Sequence, residues 1–160
     1  MAIPVYLFLT DDHDRRLEGS VDIIGREGSV EVLGVHHSIT LPTDDLTGKV
    51  TGNRRHLPFM IEKEIDCSSP LLYRTLTTGE TLKKVEAKWF RINDNGHEIE
   101  YFNTLMENVR VVSISPVMFD IKDACKEKFN HMEIVEFRYE KISWKFVDGN
   151  IIHMDDWNSR

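Results

Sequence analysis

The chain has 160 residues, 41% of them hydrophobic and 29% charged, with 27 acidic against 20 basic side chains and a formal net charge of −7. These totals describe one globular domain over residues 1–160, large enough to bury roughly two-thirds of its unfolded surface, and they exclude a disordered chain. The acidic balance excludes a phosphate-backbone binder, so no nucleic-acid partner is expected.

Met1 to Leu9 is apolar, but it has no basic start, carries Pro4 and runs into Asp11-Asp12 without a small-residue cleavage site. It does not read as a signal peptide, so synthesis and folding in the cytoplasm are expected. No stretch approaches the roughly 20 apolar residues of a membrane span. Cys67 and Cys125 lie far apart and match no metal-binding spacing, which predicts two free thiols.

Val5 to Leu9 reads as a strand, with Val5, Leu7 and Leu9 on one face. Asp11 to Gly19 is a charged loop. Ser20 to Ile24 and Ser29 to Ile39 read as further strands, with Gly34 marking a bulge or a close backbone approach. Leu41 to Pro58 is a long irregular piece holding five charged side chains, Asp44, Asp45, Lys49, Arg54 and Arg55, and connections this long are commonly functional. Its Thr47-Gly48-Lys49-Val50 segment is not a phosphate loop, because position 43 is Thr and the residue after Lys49 is Val. Phe59, Ile61 and Ile65 alternate with Glu62 and Glu64, another strand. Ser68-Ser69-Pro70 predicts a helix start and Gly79 its end, with Leu72 and Leu76 on one face.

Asp94-Asn95-Gly96 is the strongest hairpin signal in the chain. With Asn95 and Gly96 as a two-residue loop, Trp89 faces Phe102, Phe90 faces Tyr101, Arg91 faces Glu100 and Ile92 faces Ile99. Neither face is purely polar, so this sheet is expected to be covered on both sides. Val109 to Ile114 reads as a third strand ended by Pro116, and Val117 to Asn130 as a surface connection. His131 to Phe146 is a long β run whose apolar phase slips near Glu140-Lys141, predicting a bulge or bend. Asp148-Gly149-Asn150 turns the chain into a closing strand from Ile151 to Trp157. The expected fold is mainly β: an antiparallel β-barrel of two packed sheets, about nine strands, with one short flanking α-helix.

No constellation for chemistry emerges. His36 and His37 are adjacent and point to opposite faces of a strand, and His13, His56, His97, His131 and His153 have no partner at ligand spacing. Asp11-Asp12 and Asp155-Asp156 read as solvated charge. Ser20, Ser29 and Ser113 lack the context of a nucleophile. No enzyme, metal or cofactor is expected. What stands out instead is the number of strand edges, which need a partner, so a homo-oligomer is expected.

Nearly the whole chain resembles the Hcp family, the tube protein of the bacterial type VI secretion system. The resemblance rests on Met1-Ala2-Ile3-Pro4-Val5-Tyr6-Leu7, Arg26-Glu27-Gly28-Ser29, Pro42-Thr43-Asp44, Thr47-Gly48-Lys49 with Thr51-Gly52, and Lys63-Glu64-Ile65-Asp66. Tyr101-Phe102-Asn103-Thr104, Arg138-Tyr139-Glu140-Lys141-Ile142 and Asp148-Gly149-Asn150-Ile151 complete it. The charged Asp11–Arg16 loop and the two cysteines depart from the pattern. The resemblance implies a subunit that assembles six to a ring, with rings stacked into a tube that a contractile sheath drives, behind a spike, into a neighbouring cell. It also implies export without a signal peptide and carriage of small secreted effectors in the ring lumen. On this reading the arm from Pro42 to Pro58 stacks neighbouring rings through Asp44, Asp45, Lys49, Arg54 and Arg55. Trp89, Arg91, Glu100 and Phe102 are the candidates for covering the sheet at a subunit contact. A monomeric barrel that binds a small molecule is the alternative, and would need an internal cavity with convergent polar groups.

Overall fold

The computed structural model describes residues 3–159. Met1 and Ala2, which open the first motif quoted above, and Arg160 lie outside the described residues. Strand β1 (Val5–Asp11) buries Val5, Leu7 and Leu9 as its alternation predicts. Its neighbours on one side are β2 (Arg16–Leu17) and β3 (Val30–Val32), and on the other β8 (Leu82–Ile92). The stretch from Ser20 to Ile24 is not a strand. It is a loop closed by backbone bonds from Gly28 N to Val21 O (2.8 Å) and from Gly19 N to Gly28 O (2.8 Å), and Ile24 is 92% exposed. An apolar run with no neighbouring strand to pair with has nothing to hold it extended.

After β3 the chain leaves one sheet for the other. β4 (Gly34–His36) pairs with β7 (Phe59–Glu64) rather than β1. Gly34 sits at the changeover, where an added Cβ would lie 2.6 Å from Glu62 Oε2, so the close neighbour is a side chain and not the expected backbone. β5 (Ile39–Thr40) and β6 (Arg55–His56) form a small ladder at the root of the arm, which therefore has structure of its own.

The hairpin of β8 and β9 (Glu98–Val117) keeps the expected Trp89–Phe102 pair, but its outer register differs. Ile92 faces Glu98, Arg91 faces Ile99 and Phe90 faces Glu100. The loop has three residues, Asp94 to Gly96, with Gly96 at φ 79°, and Asn93 Oδ1 accepts bonds from Asn95 N (3.0 Å) and His97 N (2.9 Å). That side-chain turn outcompetes the two-residue turn, and a bulge between Trp89 and Phe90 absorbs the extra residue further down. The Arg91–Glu100 charge pair does not form as a cross-strand pair.

β9 continues unbroken to Val117, so the separate strand expected from Val109 is its second half, and Pro116 lies inside it. Its neighbour β8 stops pairing at Val109, which leaves that edge bare, the setting in which a strand tolerates proline. The bend comes at Asn108, whose φ is 53° and whose side-chain amide donates to the Glu140 carboxylate. Opposite, β10 (Met132–Arg138) pairs with the second half of β9 and β11 (Lys141–Phe146) with the first. The phase slip at Glu140-Lys141 is this same corner, seen from the partner strand. One ladder thus folds over itself into two packed sheets, and β12 (Ile151–Asp156) ends the first of them beside β11. The expected mainly β fold of packed sheets with one flanking helix is present, although the hydrogen-bonded ladder is not closed into a barrel; twelve strands are present among the described residues. Phe59, Ile61, Leu7, Leu9, Val85, Met106, Val135, Phe137 and Ile142 fill the space between the sheets.

Helix α1 (Ser69–Thr78) ends at Gly79 in the left-handed region as expected, and packs against β9 with Leu72 fully buried. Its start differs. Ser68 makes no side-chain cap bond, and Asp66 takes that role by accepting from Ser68 N (2.9 Å) and Ser68 Oγ (2.5 Å). β7 ends at Glu64, short of Ile65. Beneath the helix start, Lys63 is wholly buried and its Nζ reaches Glu133 Oε1 at 2.5 Å, Glu64 O at 2.9 Å, Asp66 Oδ1 at 3.1 Å and Ser69 Oγ at 3.2 Å. Truncating one member of such a pair strands the other charge in the core, so Lys63→Ala is expected to cost about 3–5 kcal/mol. The paired change of Lys63 to Met and Glu133 to Leu is expected to recover most of it. Urea unfolding at one fixed protein concentration checks both, and equal losses in the two variants would refute the account.

Candidate assembly surface

The arm grows from the β5–β6 ladder, and its strands approach again at the Thr43–Val50 bridge. At the tip Asp44 Oδ1 accepts from Leu46 N and Thr47 N at 2.8 Å each, which, through Thr47 first, holds its carboxyl below the usual range. Asp44 N bonds Lys49 O at 2.7 Å, and Gly48 adopts φ 70°. Asp45, Lys49 and Arg55 are exposed along this finger.

Arg54 behaves differently from the other four. Its Nε and Nη2 grip Asp155 on β12 at 2.6 and 2.7 Å, and Nη2 also donates to Asp156 O (3.0 Å) and Ser159 O (2.6 Å). Asp155 is therefore not the solvated charge expected of it. The Arg54 bonds, with a further bond from His56, hold its carboxyl low against the opposing cost of burial. His56 is buried, with Nε2 at 2.7 Å from Asp155 Oδ2 and Nδ1 at 2.6 Å from the Tyr139 hydroxyl; His37 Nε2 lies 2.8 Å from the same hydroxyl. The donor order that satisfies every group runs from His37 Nε2–H to the Tyr139 oxygen, from the Tyr139 O–H to His56 Nδ1, and from His56 Nε2–H to Asp155. Arg138 Nη1 donates to His56 O at 3.0 Å, and Trp157 lies over the His56 ring at 5.1 Å. A chain of side chains from β6, β10 and β12 thus bolts the root of the arm to the last strand. Sequence reading missed it because His56 and Asp155 stand 99 residues apart with no local pattern between them.

The four hairpin candidates do not form one cluster. Trp89 and Phe102 pack edge to face at 6.2 Å, with Trp89 Nε1 donating to Thr104 Oγ1 at 3.2 Å. Arg91 is exposed and lies over the Tyr101 ring at 5.4 Å, while Glu100 accepts from Asn103 Nδ2 at 3.0 Å. One residue went unread here: Arg26, buried, pairs with Glu98 at 2.6 Å and stacks over Phe90 at 4.0 Å, tying the Gly19–Ser29 loop to the hairpin. Beyond Lys88 the outer edge of β8 has no strand partner among the described residues, and a cleft of about 540 Å³ opens there beside Ile3 and Val5, between Val32–Val35 and Trp89–Ile92. The opposite end of that sheet is β12, whose Ile151, Ile152 and Met154 are exposed. His36 is exposed while His37 is turned inward, and Cys67 and Cys125 are exposed and free.

The latch carries a pH signature. Burial, with His56 adding to it, lowers the His37 pKa to about 4. The unfolded chain binds a proton at this residue below about pH 6.5 and the fold only below about pH 4, so stability present above pH 6.5 is lost on the way down to pH 4 and then levels off. His37→Gln is expected to flatten the fall in urea midpoint between pH 6.5 and 4.5, and an unchanged slope would refute it.

The comparisons agree with this geometry. The family described as "Type VI secretion system effector, Hcp" matches residues 6–146. The "Major exported protein" of Pseudomonas aeruginosa is 34% identical, over 99% of this chain and 98% of its own length. Among solved structures, a mutant form of Hcp1 from the E. coli EAEC 042 pathovar is 56% identical with a TM-score of 0.88, covering 98% of this chain and 99% of that one. Secreted Hcp3 from Pseudomonas aeruginosa is 30% identical with a TM-score of 0.78, again over 98% and 99%. With a family match over residues 6–146 and a fold similar to those of these solved structures, the chain belongs to the Hcp family of type VI secretion proteins.

Proposed function

We propose that the chain is the repeating subunit of a type VI secretion tube: six copies close into a ring, and rings stack through the arm. The observation that carries this reading is the open ladder: among the described residues neither the outer edge of β12 nor that of Trp89–Ile92 in β8 has a strand partner, and apolar side chains are exposed at both. The two ends are different surfaces. Contacts between unlike surfaces repeat head to tail, and a ring results when the rotation closes. The apolar side chains packed between the sheets favour assembly over a ligand-binding barrel, which would need polar groups converging on an internal cavity.

In this role the subunit has no chemistry to perform. Its partners are copies of itself, the sheath and spike of the machine, and small secreted proteins carried in the ring lumen, and it leaves the cell through the machine. The latch to β12 fixes where the arm emerges, so Arg54 acts as a positioning residue while Asp45, Lys49 and Arg55 face the next ring.

Native mass spectrometry is expected to find a six-subunit species. Ile152→Arg, a change at an exposed edge position, is expected to leave folded monomers, because burying the new charge would cost more than the contact returns. A wild-type protein that stays monomeric at high micromolar concentration, or an Ile152→Arg ring of unchanged stability, would overturn the reading.

A further inference from the structure

Above its root ladder the arm is tied to the rest of the molecule by the hydrogen bonds of one residue. Among the described residues, the bonds of 41–53 stay within the arm. Asp44 N reaches Lys49 O, Gly48 N reaches Asp44 O and Thr51 N reaches Pro42 O, while the Asp44 and Thr47 side chains accept from the turn backbone. Arg54 comes next, and its guanidinium makes four bonds. All four end on 155–159: Asp155 Oδ2 at 2.6 Å, Asp155 Oδ1 at 2.7 Å, Asp156 O at 3.0 Å and Ser159 O at 2.6 Å. Below it the β5–β6 ladder has two residue pairs, and His56 stays tied to Tyr139 and Arg138. A ladder that short is a hinge, and Arg54 is what stops it turning.

The segment that receives Arg54 is itself weakly held. Among the described residues β12 pairs with β11 alone. Ile151, Ile152, His153 and Met154 are exposed, and only Asp155 and Asp156 are half-buried. Edge strands with one partner and little buried apolar surface open at lower free energy than the core. Two arrangements of β12 follow: docked, with Asp155 gripped by Arg54, and frayed, with the guanidinium released to water. The grip is two-pronged and charge-assisted, so it transmits orientation as well as proximity.

We propose that β12 and Arg54 couple the two assembly surfaces of the subunit. A neighbouring copy along the outer edge of β12 adds contacts that only the docked strand can make. Docking holds Asp155 in place, and Asp155 holds the arm. Contact at the arm selects the same arrangement, so it tightens the neighbour on β12 by the same factor. A lone subunit then carries an arm without a fixed direction, and rings close before they stack. The inference rests on the tube reading and adds to it the order of assembly and the residue that enforces it.

The test measures the spread of arm positions by spin–spin distances. Labels sit on Leu46→Cys in the arm and Arg74→Cys on α1, both exposed sites, in a full chain carrying Cys67→Ser and Cys125→Ser. Labelled chain is mixed with an excess of unlabelled chain, so that each ring carries one pair. With Arg54 present, isolated rings are expected to give one narrow distance. Subunits, prepared by dilution and as Ile152→Arg, are expected to give a broad distribution. Arg54→Gln is expected to be broad in both states and to raise the concentration at half ring closure on the order of tenfold. Arg54→Lys, which keeps the charge without the two-pronged grip, is expected to fall between them. Equal widths in rings and subunits with Arg54 present, or Arg54→Gln rings as narrow and as tight as those with Arg54, would overturn the coupling and leave the tube reading standing. Failure of the unsubstituted chain to form rings at any concentration would overturn both.

Discussion

A β-sheet that ends in bare strands must satisfy its outermost backbone groups with water or with another strand, and the rest of this molecule is arranged around that constraint. The ladder bends at Asn108 and packs on itself, which buries one continuous core, but the bend does not bring its two ends into register with each other. β3 and β4 come from one stretch of chain and touch both sheets, yet Leu33 and Gly34 spend the connection on a change of sheet and not on a closing ladder. The apolar side chains left at β12 and beside the hairpin are the consequence.

Two buried polar clusters keep this open sheet in shape. Lys63 and Glu133 tie the helix start to the second sheet, and the Arg54–Asp155–His56–Tyr139–His37 chain ties the arm to the first. Both occupy places where backbone changes direction, and hydrogen bonds to charged groups in such places define one geometry more sharply than apolar packing does. The price is sensitivity to pH at His37 and to truncation at Lys63.

Much of the fold was legible from local pattern. Alternation announced β1, the glycine end of α1 was explicit, and the phase slip near Glu140 marked the corner before any partner strand was in view. The errors arose where a side chain rewired the backbone or where pairing was needed to hold a strand. Asn93 captured the hairpin tip and shifted its register, Asp66 displaced Ser68 at the helix start, and Val21 to Ile24 found no neighbour. The candidate surface was legible only by resemblance. Lys63 stands on the inward parity of Phe59 and Ile61 but its partner Glu133 is 70 residues away, and the partners of Arg54 lie about a hundred residues away, so no window of sequence contains either contact.

The role of the bare edges is open to direct measurement by hydrogen exchange at the backbone amides of β12 and of Trp89–Ile92, followed across a dilution series. The account predicts that both segments are protected together at high concentration and lose protection together on dilution, while the β1 core stays closed throughout. Rapid exchange at both edges at every concentration, or protection that ignores dilution, would contradict it.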